Sequence, residues 1–176
     1  MGTSCPGGCQ YCYLATTLGR KPYVRIYVNI DEILDSVRRY IEAHLPATTS
    51  FEASSTSDPL AVEHLTGNLG RAIAFFGQQK HGLLRLTTKF HLVESLLNLP
   101  HNGRTRFRFS VNSEKVITSY EQQTATLYER LAAAIKVARA GYPLGFVIAP
   151  LFLYPGWQRD YGKLLDDLHE ALALTN

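Results

Sequence analysis

The three cysteines of this chain are the residues whose type and spacing point most directly to chemistry. Cys5, Cys9 and Cys12 follow the spacing C-x3-C-x2-C, with proline and glycine in the first gap. Three thiolates can bind three irons of a 4Fe-4S cluster, which leaves the fourth iron open to a ligand from outside the protein. Glycines let the chain turn tightly and direct backbone N–H groups at the cluster sulfurs. The spacing therefore predicts a 4Fe-4S cluster with one open iron.

Two other interpretations of the cysteines stay open at this point. A zinc ion could use the three thiolates and a distant histidine, although zinc sites more often combine two C-x2-C pairs. The three thiols could also bind no metal. A disulfide framework is not expected, because the chain has only 3 cysteines and all of them lie within its first 12 residues.

The composition is that of a soluble globular domain. Of the 176 residues, 45% are hydrophobic and 19% are charged, and the formal net charge of +3 permits contact with a polyanion without requiring it. No stretch approaches the roughly 20 apolar residues that span a bilayer, and the N-terminus lacks the pattern of a signal peptide. We therefore expect a cytoplasmic protein with no membrane partner.

Segments typical of strands and of helices alternate along the chain. Strands are predicted over residues 23–28, 50–54, 83–88, 105–112 and 144–149. Helices are predicted over residues 31–45, 58–76, 91–97, 124–140 and 157–172. This alternation favours an α/β fold with a mostly parallel sheet. Because a complete eight-unit barrel takes ~250 residues, we expect a single domain, residues 1–176, built as a partial (β/α) barrel.

Polar and apolar residues alternate along the predicted strand 105–112. Arg106, Arg108, Ser110 and Asn112 share one face of this strand, and the residues between them are apolar. We expect the polar face to line the interior of an open barrel and the apolar face to pack against helices. An edge strand with a solvated face is the alternative.

Four segments of the chain resemble one enzyme family. They are residues 9–19 (CQYCYLATTLG), 51–58 (FEASSTSD), 101–113 (HNGRTRFRFSVNS) and 145–150 (GFVIAP). With Tyr11 placed before the third cysteine, the chain is similar over nearly its whole length to the spore photoproduct lyases, which are radical S-adenosylmethionine enzymes. The resemblance implies a partial (β/α) barrel of the radical S-adenosylmethionine type, incomplete at both ends relative to the family.

The resemblance also implies an activity. In this family a reduced 4Fe-4S cluster cleaves S-adenosyl-L-methionine to a 5′-deoxyadenosyl radical. The radical abstracts hydrogen from C6 of spore photoproduct, 5-thyminyl-5,6-dihydrothymine, and the lesion reverts to two thymines. The implied protein is a carbon–carbon lyase that repairs damaged DNA in the spore core. Its implied partners are the DNA and a reductant such as flavodoxin or ferredoxin.

Individual residues acquire roles from the same resemblance. It places four positions at the S-adenosylmethionine: Ser57, Lys89, Ser110 and the backbone around Ala149. Tyr11 and Tyr13 would flank the cofactor, and Tyr13 would relay hydrogen. Lys89 also ends a predicted strand, where barrel folds build active sites, and its ammonium could bind the carboxylate of the methionyl group. A solvated lysine at a strand end is the other interpretation.

The chain departs from the family pattern at Ser55. The family has a cysteine at this position, and that thiol returns a hydrogen atom to the repaired thymine. Because an O–H bond is much stronger than an S–H bond, we expect Ser55 not to replace the cysteine as hydrogen donor. The serine is either an engineered substitution or a feature of a natural relative.

Two alternative functions follow from this departure and from the expected truncation. One is a radical S-adenosylmethionine enzyme that acts on another substrate, which Ser55 supports best. The other is a truncated core that binds the cluster and the cofactor without turnover. The family has a β-hairpin that wedges into DNA beyond the position of Asn176, so we expect this chain to bind lesion DNA weakly.

Overall fold

A computed structural model describes residues 1–15 and 23–175 of the chain. Its strands are β1 (Gly2–Thr3), β2 (Gly8–Cys9), β3 (Arg25–Ile26), β4 (Thr49–Glu52), β5 (Gly82–Thr88), β6 (Thr105–Val111), β7 (Glu121–Gln122) and β8 (Leu144–Ile148). The central sheet contains β4, β5, β6 and β8, which adjoin in chain order and are all parallel. Two short antiparallel pairs, β1 with β3 and β2 with β7, lie outside this sheet.

Helices connect the strands of the central sheet. They are α1 (Ile30–Ala43), α2 (Glu63–Thr66), α3 (Asn68–Gly77), α4 (Glu114–Tyr120), α5 (Leu127–Arg139) and α6 (Trp157–Ala173). Single 3-10 turns occur at Tyr13–Ala15, Leu60–Val62 and Glu94–Leu96. Parallel strands that follow one another in chain order, with helical connections, form the arrangement of part of a (β/α) barrel. The predicted α/β fold is therefore confirmed.

The two faces of the central sheet differ in chemistry. Phe107, Phe109 and Val111 are 0% exposed and lie on the face that α3 and α5 cover. The opposite face, which we call the open face, carries Glu52 and Arg108 together with Arg85, Thr87 and Arg106. The alternation predicted for strand 105–112 is confirmed for residues 105–111, because the aromatic residues pack under helices and the arginines do not.

The segment predicted as one helix over residues 58–76 is divided. Gly67 adopts a left-handed conformation with φ of 63°, which ends α2 and precedes α3. The side chain of Glu63 then accepts hydrogen bonds from the backbone N–H groups of Leu69 and Gly70, each at 2.8 Å. A carboxylate at this position satisfies donors that the first turn of a helix leaves free. The prediction of one continuous helix was wrong because a side chain six residues upstream caps a new one.

Three smaller differences concern the element boundaries. The strand predicted over residues 23–28 is only two residues long and pairs with β1 instead of joining the central sheet. The helix predicted over 91–97 is a single 3-10 turn. Helix α4 was not predicted; its N-cap is Ser113, whose side chain accepts a hydrogen bond from Val116 N. Residues 16–19 of the first segment that resembles the family lie outside the described residues.

None of the helices in the described residues combines the length and apolar character needed to cross a bilayer.

The close approach of α3 to the turn before β6 generates a stability prediction. A Cβ atom at Gly77 would lie 1.9 Å from the carbonyl oxygen of Pro100, whereas a Cβ at Gly162 in α6 would meet nothing within 4 Å. We expect Gly77→Ala to lower the free energy of unfolding by about 1–3 kcal/mol, because the backbone must shift to admit the methyl group. The matched control Gly162→Ala should raise it by about 0.5–1 kcal/mol. Urea denaturation measures both, and a Gly77→Ala protein as stable as the parent would contradict this packing.

Candidate active site

A cavity of about 380 Å³ lies where β4 and β5 end and beside β6. It is lined by seven of the residues that sequence reasoning placed at the site: Cys5, Cys9, Cys12, Ser55, Ser57, Lys89 and Ser110. The serines follow β4, Lys89 follows β5, and Ser110 lies near the end of β6. The carboxyl ends of parallel strands meet at one edge of a sheet, so these distant segments converge there. We call this space the cysteine cavity.

The segment that carries the cysteines is held by main-chain pairing. In the pairing of β2 with β7, Cys9 stands opposite Glu121, and Gln10 N donates a 2.9 Å hydrogen bond to Tyr120 O. A Cβ atom at Gly7 would lie 3.0 Å from Thr124 Cγ2, so a larger residue would disturb this turn. The backbone N–H of Gly7 donates to Cys5 Sγ at 3.4 Å. The glycine therefore allows a tight turn and supplies a donor to a thiol sulfur. That backbone N–H groups point at the sulfurs of a cluster stays a prediction.

The three thiols are free and suited to bind iron. Burial raises the pKa of the Cys5 thiol to about 11, and it also raises the pKa of Cys9, although the charge of Lys89 opposes this second shift. Thiolates are the ligand form, so metal binding must displace these protons.

The geometry of the thiols also bears on how iron would be held. Among the described residues, no three His, Cys, Asp or Glu side chains converge on the position of one metal ion. A cubane cluster does not require such convergence, because each of its cysteines binds a different iron. The residues present therefore fit a 4Fe-4S cluster.

The Lys89 side chain is held by three hydrogen bonds at the cysteine cavity. Its ammonium donates hydrogen bonds to Tyr11 Oη at 2.9 Å, to Ser110 Oγ at 3.0 Å and to Glu121 Oε1 at 2.9 Å. A lysine ammonium has three donors, and each one has a partner here. A ligand carboxylate could therefore bind Lys89 only by replacing one of these acceptors. The solvated lysine considered from the sequence is excluded, because this side chain is 18% exposed.

Glu121 and Arg130 lie beneath Lys89, and both side chains are 0% exposed. Arg130 Nη2 lies 2.7 Å from Glu121 Oε2, and the guanidinium also donates to Ser110 O at 2.8 Å and to Ala125 O at 2.9 Å. Burial favours the neutral form of Glu121, but the charges of Arg130 and Lys89 outweigh it and lower the pKa of this carboxyl. Glu121 is therefore ionised and shared by two cations.

Sequence reasoning missed this pair of residues. The one available signal was that Arg130 interrupts the apolar face of α5, between Leu127 and Ala134. A charge at such a position is rarely buried without a partner. The partner, Glu121, could not be identified from the sequence because β7 is only two residues long and matches no motif.

Asp58 fixes the loop that carries the cavity serines. Its carboxylate accepts hydrogen bonds from Thr88 Oγ1 at 2.9 Å, from Lys89 N at 2.9 Å and from Leu60 N at 3.2 Å. Burial raises the pKa of Asp58 to about 6, and these hydrogen bonds oppose the rise. The residues after β4 are thereby joined to the end of β5.

Three predicted residues do not line the cysteine cavity. Tyr11 lies behind it, where its hydroxyl donates to Glu121 and accepts from Lys89. Tyr13 is 65% exposed, and its hydroxyl donates to the carbonyl oxygen of Ser55 at 3.3 Å. Ala149 is exposed and follows β8, outside the residues that line the cavity. The structure thus brings Tyr13 to Ser55, whereas Ala149 follows Ile148, the residue paired with Val111, and does not line the cavity.

Asn112 does not lie on the open face as the sequence suggested. It is 0% exposed, and its amide donates to Pro150 O at 2.9 Å and accepts from Tyr161 Oη at 2.6 Å. These contacts join the end of β6 to the segment after β8. The alternation that holds for Arg106, Arg108 and Ser110 ends where β6 ends.

Comparisons with known proteins agree on one family. A family profile described as spore photoproduct lyase matches residues 1–176. The spore photoproduct lyase of Bacillus subtilis (strain 168) is 52% identical over 170 residues, which are 97% of this chain and 50% of the relative. That of Geobacillus sp. (strain Y412MC61) is 49% identical over 172 residues, 98% of this chain and 50% of the relative. The chain therefore spans about half the length of these curated relatives.

Solved structures give the same result. Spore photoproduct lyase complexed with dinucleoside spore photoproduct matches with a TM-score of 0.94 and 50% identity, over 98% of this chain and 51% of the other. A double mutant of the lyase with bound AdoMet and dinucleoside spore photoproduct matches with a TM-score of 0.93 and 50% identity, over 98% and 51% of the two chains.

The buried ion pair generates a prediction with a matched control on the same helix. We expect Arg130→Met to lower the free energy of unfolding by about 3–5 kcal/mol, because Glu121 loses its buried counter-charge and Ser110 O loses its donor. Lys136 in α5 pairs with Glu94, and these side chains are 50% and 59% exposed. Lys136→Met should therefore cost at most about 1 kcal/mol. Chemical denaturation measures the free energy of unfolding of both variants. Equal decreases would contradict the prediction that the buried pair contributes more than the exposed one.

Proposed function

The chain belongs to the spore photoproduct lyase family, and on that premise we propose that it is the radical S-adenosylmethionine core of a DNA repair lyase. The reaction is the reversion of spore photoproduct to two thymines. The observation that carries the proposal is the convergence of the cysteines, Ser55 and Lys89 on one cavity at the ends of the sheet strands. DNA that contains the thymine lesion is the substrate.

Cys5, Cys9 and Cys12 hold the 4Fe-4S cluster in this proposal. When bound and reduced, such a cluster supplies the electron that splits S-adenosylmethionine and starts the radical chemistry. The chain itself supplies a turn that admits no large side chain at Gly7 and a thiol, Cys9, that is only 7% exposed. Burial of this kind keeps water away from reactive species. A flavodoxin or ferredoxin is the proposed electron donor.

Lys89, Ser57 and Ser110 bind S-adenosylmethionine in this proposal. Support comes from their shared cavity and from the position of Lys89 as a cation on a buried network. The carboxylate of the methionyl group can replace Ser110 Oγ or Tyr11 Oη at the ammonium, and its own negative charge then pairs with Lys89. The role proposed for the backbone of Ala149 has no such support, because Ala149 does not line this cavity.

Tyr13 and Ser55 are proposed to lie at the substrate side of the cysteine cavity. The Tyr13 hydroxyl contacts the main chain of Ser55, which is exposed and lines the cavity. A serine hydroxyl is a poor hydrogen-atom donor compared with a thiol, so return of hydrogen to the repaired thymine is the weak step of this chain. The same serine favours a second candidate function, a radical S-adenosylmethionine enzyme that acts on another substrate. Location in the cytoplasm or spore core stays a prediction.

The proposed function is tested by turnover after anaerobic reconstitution with iron and sulfide. We expect ~4 irons per chain, and we expect the reduced protein with S-adenosylmethionine to consume a dinucleotide spore photoproduct while forming 5′-deoxyadenosine. Cys9→Ala should lose the cluster absorbance and both products, whereas Ser36→Ala on the exposed surface of α1 should keep them. Chromatography of the products separates the outcomes. An intact lesion with 5′-deoxyadenosine present would indicate another substrate, and an intact lesion without it would indicate a binding core.

The missing thiol generates a separate prediction about the products. We expect the parent chain to yield thymine-derived side products, and Ser55→Cys to shift them to clean thymine by supplying a weaker S–H bond at the same position. Ser36→Cys is the control, because it adds a thiol to α1 away from the cysteine cavity. Product ratios are read by chromatography. Clean thymine from the parent chain would show that Ser55 does not limit the reaction.

A further inference from the structure

We propose that Arg85, Arg106 and Arg108 on the open face of the central sheet bind the phosphodiester that links the two nucleosides of the substrate. This inference rests on the proposed function and deepens it, because it names the part of the substrate that these residues recognise. The ligand class is a phosphate diester within a DNA strand.

The register of the sheet places the three arginines together. Glu52 on β4 stands opposite Arg85 on β5, and Arg85 stands opposite Arg106 on β6. Arg108 lies two residues further along β6, opposite Thr87. Residues paired in this way share a face of the sheet. Glu52 and Thr87 also line the cysteine cavity, so the arginines adjoin the space that contains Ser55.

The positive charge of this group exceeds its negative charge. Arg108 Nη2 lies 2.6 and 2.8 Å from the two oxygens of Glu52, and Arg85 Nε lies 3.0 Å from one of them. Arg106 has no ion pair or hydrogen bond to any side chain within the described residues. One carboxylate therefore pairs with two of these three guanidinium groups, and the surplus positive charge favours binding of an anion.

Hydrogen-bond donors are in surplus as well. Arg85 Nε and Arg108 Nε are buried nitrogens that have no hydrogen-bond partner among the described residues. Arg85 Nε lies within ion-pair distance of Glu52, but the contact does not have the geometry of a hydrogen bond. Buried donors normally find acceptors, and a guanidinium carries five N–H groups in a planar fork. A phosphate diester offers two free oxygens that such forks bind in pairs.

Access to these groups is open from the barrel interior. The side chains of Arg85 and Arg108 are 43% and 27% exposed. Gly145 on β8 stands opposite Arg108 in register, and a Cβ at this glycine would first meet Arg108 Cγ at 3.6 Å. Because position 145 has no side chain, nothing from β8 covers the guanidinium there.

The phosphodiester is the anion that fits this position. The carboxylate of S-adenosylmethionine is assigned to Lys89, at the end of β5 and beyond the row of arginines. The solved relatives contain a dinucleoside spore photoproduct, a ligand without the bridging phosphate. The lesion in DNA has one phosphate between its two thymidines, so an anion site next to Ser55 has a matching group only in the natural substrate.

The test compares two forms of the lesion that differ by this one group. Binding of the dinucleotide and of the dinucleoside spore photoproduct to the reconstituted chain is measured by titration calorimetry, for the parent, Arg108→Gln and Arg85→Gln. We expect each substitution to weaken dinucleotide binding about ten-fold or more, the effect of losing a hydrogen bond to a charged group. Dinucleoside binding should stay within about two-fold of the parent. Arg38→Gln on α1 is the control, since Arg38 pairs with Asp35 in the same helix and lies over the Phe75 ring, not on the open face.

The outcomes separate this inference from the proposed function. The phosphate site would be overturned if the arginine substitutions weakened binding of the dinucleotide and the dinucleoside equally. It would also be overturned if they weakened binding of neither ligand. The same comparison with undamaged thymidylyl-thymidine shows whether the lesion itself is recognised. If damaged and undamaged dinucleotides bind alike but both still depend on Arg108, the lesion specificity fails while the phosphate site stands. A parent chain that binds the dinucleotide no better than the dinucleoside would also overturn the site.

Discussion

The buried carboxylate of Glu121 is the group on which the architecture of the site depends. One of its oxygens accepts from Lys89 and Tyr11, and the other lies 2.7 Å from Arg130. Its backbone pairs with Cys9. A single residue thus connects the cysteine segment, the end of β5 and the start of α5. Because an unpaired charge in the interior costs several kcal/mol, these elements can approach only with all of the charged groups present.

This network determines what the cysteine cavity can bind. Lys89 and Arg130 exceed Glu121 by one positive charge within this network, while the carboxylate of Asp58 also lines the cavity. The three donors of Lys89 already have acceptors, so an anionic ligand group binds Lys89 only by taking the place of one of them. Displacing a neutral acceptor, Ser110 or Tyr11, costs less free energy than displacing the charged carboxylate of Glu121. An anionic ligand therefore replaces one neutral acceptor of Lys89 and adds its own negative charge to the network.

Local patterns in the sequence were enough to predict some of these features but not others. The spacing of Cys5, Cys9 and Cys12 lies within eight residues, and alternation along β6 is a local property, so both could be interpreted without a structure. The Glu121–Arg130 pair depends on how β7 packs beside α5, which no local pattern records. Gly67 illustrates the same limit, because the helix after it begins through a hydrogen bond from Leu69 N to a distant side chain.

The charged residues at the two ends of the site differ in burial. At the end where the cofactor is proposed to bind, Lys89 is held by Glu121, which pairs with Arg130 of α5 in the interior, so the position of Lys89 is set before any ligand arrives. At the other end, Arg85 and Arg108 share Glu52 at partly exposed positions, where water and a ligand can compete for the same donors. A small cofactor needs a rigid anchor for its reactive atoms. In the proposed function a DNA strand must instead enter and leave, and exposed guanidinium groups allow this because their interactions are weaker and screened by salt.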